Sequence, residues 1–168
     1  SICEGAIKID NLKDFCKENK IPCLGISDTS NLCGALEFAE NISKVGTQPI
    51  IGTQIFFRFE DTTGLLPLIA LNEKGYKKII ELSSRSYLEN DALSDPHLDI
   101  KELLTDTEGV SLLSGTIQGL FGKLFEKGRI DEISKIYKSL SSKFNDNFYL
   151  EIQRHGDQNE IAFEKFNL

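Results

Sequence analysis

Residues 21–38 read IPCLGISDTSNLCGALEF, and residues 49–57 read PIIGTQIFF. The first stretch is an apolar run, Cys23 to Ser27, that ends in the polar string Asp28-Thr29-Ser30-Asn31 and gives way to helix-forming residues. The second is another apolar run, and it carries Gly52-Thr53-Gln54. Short apolar runs alternating with helical segments predict an α/β fold with parallel strands. Such folds build metal sites from acidic and imidazole side chains at the C-terminal ends of their strands. Here Thr29 and Gln54 occupy those strand-end positions, so the scaffold pattern is present without its charged donors.

The same alternation runs outward along the chain. Periodicity predicts a helix over 7–19, with Asp10 as its cap and Leu12, Phe15 and Cys16 on one face. Pro22 stops it. A second helix is expected over 32–45, burying Leu32, Ala35, Leu36, Ala39 and Ile42. Strands are expected over 50–59 and 65–71, joined by Asp61-Thr62-Thr63-Gly64 as a hairpin turn. Asn72 then caps a helix reaching about Leu88, with Tyr76, Ile79, Ile80 and Leu82 inward. Residues 90–97 form a loop, and Asp99 with Glu102 reads as a capping box over a short helix. Val110 to Leu113 is a buried strand. Helices follow over 119–127 and 130–144, then a strand over 148–153 and a helix from Gln158.

The chain has 168 residues, a length suited to a single domain, residues 1–168, with room for a core. Its net charge is −7, which argues against a surface built mainly to neutralise phosphates. No apolar run approaches the ~20 residues of a membrane span. Cys3, Cys16, Cys23 and Cys33 form no C-x-x-C pair or zinc-ligand spacing and read as small core residues. Lys74, Lys77, Lys78 and Arg85 form a small basic face, read as a solvated helix surface. The glycines around Thr116 lack the Gly-Lys-Ser/Thr ending of a phosphate loop.

Taken together, the segments resemble the PHP (polymerase and histidinol phosphatase) domain found at the N-terminus of bacterial replicative DNA polymerase α subunits. That family reads T-D-H-G-N-L-F-G-A-L-E-F and P-I-I-G-C-E at the two quoted stretches. The likeness continues through Leu71-Asn72-Glu73-Lys74-Gly75-Tyr76, Ser84-Arg85-Ser86-Tyr87-Leu88, the 108–115 segment, and Phe148 to Gly156. It implies a distorted (β/α)7 TIM-like barrel, here truncated at both ends. The chain begins at Ser1 with no methionine, after the position of the family's H-x-H strand. A piece of a longer polypeptide is therefore expected.

The resemblance also implies a set of site positions. PHP enzymes hold three metal ions with histidines, carboxylates and a cysteine, and such clusters activate water against phosphate esters. The family histidine falls at Thr29, its glutamate at Gln54, and its cysteine or histidine at Thr116. His155 keeps the ligand type. Neutral hydroxyl and amide groups cannot balance several divalent cations, so the expectation is no cofactor in this domain and no phosphoesterase activity. His155 with Asp28 remains a vestigial pair for one weakly held ion. Asp28 otherwise reads as a cap or turn residue, and His155 as a partly buried, hydrogen-bonded side chain. The expected role is a scaffold that supports the rest of the polymerase α subunit and docks the proofreading exonuclease subunit. DNA would be held by other domains, where magnesium serves the polymerase site. The location expected is cytoplasmic. The alternative is a metal-dependent 3′–5′ exonuclease or phosphoesterase of the PHP type.

Overall fold

In the computed structural model, which describes residues 8–91 and 93–168, the apolar runs assemble into one sheet. The elements run α1 (Ile9–Asn19), β1 (Cys23–Thr29), α2 (Ala35–Ser43), β2 (Gln48–Phe59), β3 (Thr62–Ala70), α3 (Glu73–Leu88) and β4 (Leu98–Asp99). A 3-10 turn at Ile100–Leu104 leads to β5 (Val110–Leu113), α4 (Leu120–Glu126), α5 (Ile130–Phe144), β6 (Phe148–Tyr149) and α6 (Gln158–Asn167). The strand order is β1-β2-β3-β5-β6, and β4 pairs with the far end of β2. Of these strands, β3 runs against its neighbours; β1, β2, β4, β5 and β6 point the same way. The architecture is thus a mixed α/β fold, and the described strands trace an open path with β1 and β6 at its ends.

Alternation along the central hairpin explains the core. Ile55 and Phe57 on β2 and Leu66 and Leu68 on β3 have no exposed surface. They pack with Ile79 and Leu82 of α3, Phe121 and Leu124 of α4, and Ile133 and Leu140 of α5. A smaller cluster joins Cys16 of α1 to Phe38 and Ile42 of α2, against Ile26 and Ile51 of the sheet.

Loop chemistry fixes the register. Ile55 to Phe59 and Thr62 to Leu66 are joined through Glu60-Asp61, with Glu60 at φ 52°. The guanidinium of Arg129 clamps this tip, pairing with Glu60, Asp61 and Glu132 and lying 5.1 Å above the Phe59 ring. The Asn72 side chain caps α3 by accepting from the Gly75 N–H at 3.0 Å, as expected. Gly109, at φ 78°, is needed there because a Cβ would sit 2.2 Å from Asn72 Oδ1.

Several expectations are corrected. Phe15, Leu36 and Ile80 are exposed, and Phe38 takes the buried place on α2. Asp10 lies inside the first turn of α1, whose N-cap is Lys8. Cys23 and Cys33 are exposed, leaving Cys16 as the buried thiol among the described residues; Cys3 lies outside them. Asp99 caps its turn through the Lys101 N–H, but Glu102 turns instead to Arg85 at 2.9 Å. The strand expected over 148–153 stops at Tyr149. The basic face of α3 is neutralised by neighbouring carboxylates: Lys74 on Glu108, Lys77 on Glu73, Lys78 on Glu81 and Arg85 on Glu89. No helix among the described residues is long and apolar enough to cross a membrane.

Candidate functional site

The parallel strands bring the four singled-out segments to one rim of the sheet. Asp28 and Thr29 are the last residues of β1, and they register against Thr53 and Gln54 of β2. Thr116 follows the end of β5 by three residues, and His155 follows the end of β6 by six. The rim therefore has two halves, β1–β2 and β5–β6, separated by β3.

The β1–β2 half is closed by its own hydrogen bonds. Thr29 and Gln54 are register partners, and the Gln54 amide points toward the Ser27 carbonyl at 3.5 Å. The buried Thr53 hydroxyl carries one proton and shares it between the carbonyls of Asp28 at 2.8 Å and Asn31 at 3.0 Å. The chain leaves the sheet at Ser30, held at φ 55°, whose N–H donates to the Gln54 carbonyl at 2.7 Å. Asn31 holds the turn, its Oδ1 accepting from the Cys33 N–H at 3.0 Å. The N-cap of α2 is Gly34. Asp28 is instead a strand residue, 7% exposed.

The β5–β6 half keeps ionisable groups. Thr116, Glu151, Gln153, Glu160 and Asn167 line a narrow cavity of about 10 Å³, room for about one water molecule. One carboxylate oxygen of Glu151, Oε2, and the Asn167 amide nitrogen are buried there without a hydrogen-bond partner. Burial pushes the Glu151 carboxyl above the ordinary carboxylate value, opposed by a hydrogen bond from Gln153. Glu160 behaves in the opposite sense. It accepts from His155 Nδ1 at 2.9 Å and from the His155 backbone N–H at 2.8 Å, and it completes a capping box with Asp157 on α6. The bond from the His155 ring, then the one from its backbone, hold the Glu160 carboxyl below the usual range. His155 itself is exposed, at 72% of its side chain, though hydrogen-bonded as expected. Thr116 spends its hydroxyl on the Gln118 N–H at 3.1 Å.

The structure thus brings Thr29 to Gln54, and Thr116 to the cavity that Glu151 and Glu160 line, with His155 bonded to Glu160. Asp28 lies near the end of β1 and His155 follows β6, the two end strands of the described sheet path. Glu151 and Glu160 were not singled out from sequence. Asp157-x-x-Glu160 is the spacing of a capping box and was a readable signal; nothing local marks Glu151.

The donor set does not fit a cluster of divalent cations. Such ions need several anionic or imidazole donors converging on one point, and three of the positions offer neutral side chains. Among the described residues, no three His, Cys, Asp or Glu side chains gather as a metal-holding group.

Fold and rim together define the class: the chain belongs to the PHP domain family, whose model matches residues 1–155. Within it, the chain is 37% identical over 173 residues to DNA polymerase III subunit alpha of Caulobacter vibrioides, covering 98% of this chain and 15% of that protein. It is 33% identical over 156 residues to DNA polymerase III subunit alpha of Rickettsia felis, covering 92% of this chain and 13% of that protein. The chain is therefore homologous to part of that polymerase subunit and spans about one seventh of its length. A solved structure described as a candidate metal-dependent phosphoesterase from Bifidobacterium adolescentis is more distant. It matches with a TM-score of 0.40 and 14% identity, over 83% of this chain and 52% of that one.

Proposed function

We propose that this chain is the N-terminal PHP domain of a bacterial DNA polymerase III α subunit, a single scaffold unit over residues 1–168 that has lost its metal chemistry. The observation that carries this reading is the Thr29–Gln54 pair. Two neutral side chains face each other across β1 and β2 where the family places an imidazole and a carboxylate. The DNA-directed polymerisation would belong to the intact subunit, with magnesium bound in another domain and DNA held there. The inert domain would brace the polymerase core and dock the proofreading exonuclease subunit in the cytoplasm.

The finer fold follows the same reading. Beyond Tyr149 the chain leaves the sheet and pairs with no strand among the described residues, and Tyr149, Leu150 and Ile152 are exposed. An unpaired apolar edge favours addition of another strand. We place there the strand that would close the distorted (β/α)7 barrel.

One observation favours the alternative, a metal-dependent 3′–5′ exonuclease or phosphoesterase. The β5–β6 half retains Glu151 and Glu160 on the cavity that Thr116 lines, with His155 bonded to Glu160. Two observations weigh against it: Glu160 is committed to capping α6, and Thr29 and Gln54 in the partner half are neutral. Asp28 with His155 would give at most one weakly held ion. The test is incubation of the purified protein with manganese or magnesium on single-stranded DNA and on a small phosphomonoester. The scaffold reading expects no metal-dependent product from either substrate. Metal-dependent release of mononucleotides or phosphate would replace it with the enzyme reading.

A further inference from the structure

The narrow cavity of the β5–β6 half lies between α6 and the segment that follows β6. Nearly all of its polar lining is already committed. Glu164 accepts from Arg154 Nε at 3.1 Å and from Arg154 Nη2 at 2.6 Å, and Glu160 holds His155 and the first turn of α6. Glu151 Oε1 accepts from the Gln153 amide at 3.2 Å. The Asn167 side-chain carbonyl accepts from the Tyr137 hydroxyl at 3.2 Å, which leaves the amide nitrogen as that side chain's open donor.

Two groups are left over: Glu151 Oε2, an acceptor, and Asn167 Nδ2, a donor. Both atoms are buried, and among the described residues they bond neither to each other nor to any other group. Native structures pair such groups or bridge them with ordered water, because burying them unsatisfied is costly. The space decides the occupant. About 10 Å³ admits one water-sized molecule and excludes an organic ligand. A divalent cation would find a single open anionic oxygen, since Glu160 and Glu164 are spent on His155 and Arg154, and such ions need several. Water meets both demands at once, donating to the carboxylate oxygen and accepting from the amide.

We propose that a single buried water molecule bridges Glu151 Oε2 and Asn167 Nδ2 and joins α6 to the rim. The water completes a run of hydrogen bonds from Gln153 through Glu151 and Asn167 to Tyr137 on α5. The Glu151 backbone N–H donates to Ser114 Oγ at 2.9 Å, so the same run is anchored to the residue after β5. The bridge does not depend on the scaffold role of the domain; the two polar groups alone call for it.

The first test is a high-resolution crystal structure of the intact protein. The expected result is one ordered peak within about 2.7–3.2 Å of both Glu151 Oε2 and Asn167 Nδ2. No peak, a peak touching only one of the two atoms, or a direct bond between the two side chains would overturn the bridge. So would contacts of metal-ligand length, or an anomalous signal after soaking in manganese, which would assign the cavity to a cation. The second test is oxygen-17 magnetic relaxation dispersion in solution, which counts water molecules held far longer than those at the surface. Glu151→Leu and Asn167→Leu should each lower the count by a single water per chain, because each removes one of the two partners. Glu151→Gln keeps a polar group at that position and should retain the water. Equal counts in the parent protein and both leucine variants would contradict the assignment, as would loss of the water in Glu151→Gln.

Discussion

The two halves of the rim differ in how they dispose of charge. At β1–β2 the paired Thr29 and Gln54 are neutral, Asp28 is buried beside them, and the loop closes on itself through Thr53, Ser30 and Asn31. At β5–β6 carboxylates survive, but one is spent as a helix cap and the other is half-buried with an unpartnered oxygen. The contrast teaches that one rim can hold its shape with two different ways of satisfying its polar groups. Backbone carbonyls take over hydrogen bonding in one half, and ionisable groups acquire architectural duties in the other.

Strand β3 joins the halves, because Leu68 registers against both Thr53 and Leu112. Leu68→Ala should therefore break the comparison most severely. Emptying this fully buried position is expected to cost roughly 2–5 kcal/mol. Hydrogen exchange should quicken in β1–β2 and β5–β6 together; loosening of one half alone would show that the halves are independent.

Thr53→Val sharpens the contrast within β1–β2. It keeps the shape and removes the proton shared by the Asp28 and Asn31 carbonyls, a loss of roughly 1–3 kcal/mol. Chemical denaturation should report that loss, with faster exchange confined to the 28–34 loop. An unchanged midpoint would mean the hydroxyl does not hold the loop.

The carboxylates of the other half should show opposite pH signatures. Glu160 has a depressed folded value, so its stabilisation is present above the ordinary 4.5 and fades as pH falls through the lower folded value. Glu160→Gln should lower the melting temperature by several degrees at neutral pH, with the deficit shrinking below about pH 4.5. Glu151 has a raised folded value, so its charged form destabilises the fold as pH climbs from 4.5 through that value. Glu151→Gln should give a smaller effect of the other sign: a gain at neutral pH that disappears in acid. Melting curves across pH check both, and parallel profiles would refute the division of labour.

Much of the scaffold was legible because local signals agreed with the tertiary outcome. The 130–144 helix, the Val110–Leu113 strand and the Asn72 cap all carry their own periodicity or capping chemistry. Errors arose where neighbours decide. Periodicity cannot choose between Leu36 and Phe38 for the buried side of α2, since packing against Ile42 and the sheet settles it. It cannot end β6 at Tyr149 either, because the length of a strand is set by the neighbour it pairs with, here β5 at Leu112 and Leu113. Thr29 and Gln54 could be located from the family pattern, and their pairing followed from strand register. The Glu160–His155 clasp is local, five residues apart around a capping box, whereas the orphaned Glu151 oxygen arises from tertiary approach, which no local spacing encodes.

The central claim is that the neutral β1–β2 half prevents assembly of a metal cluster. Elemental analysis of protein equilibrated with manganese and zinc, then freed of unbound ions, tests it most directly. Far less than one ion per chain is expected. A stoichiometric content of about two or three ions per chain would contradict it.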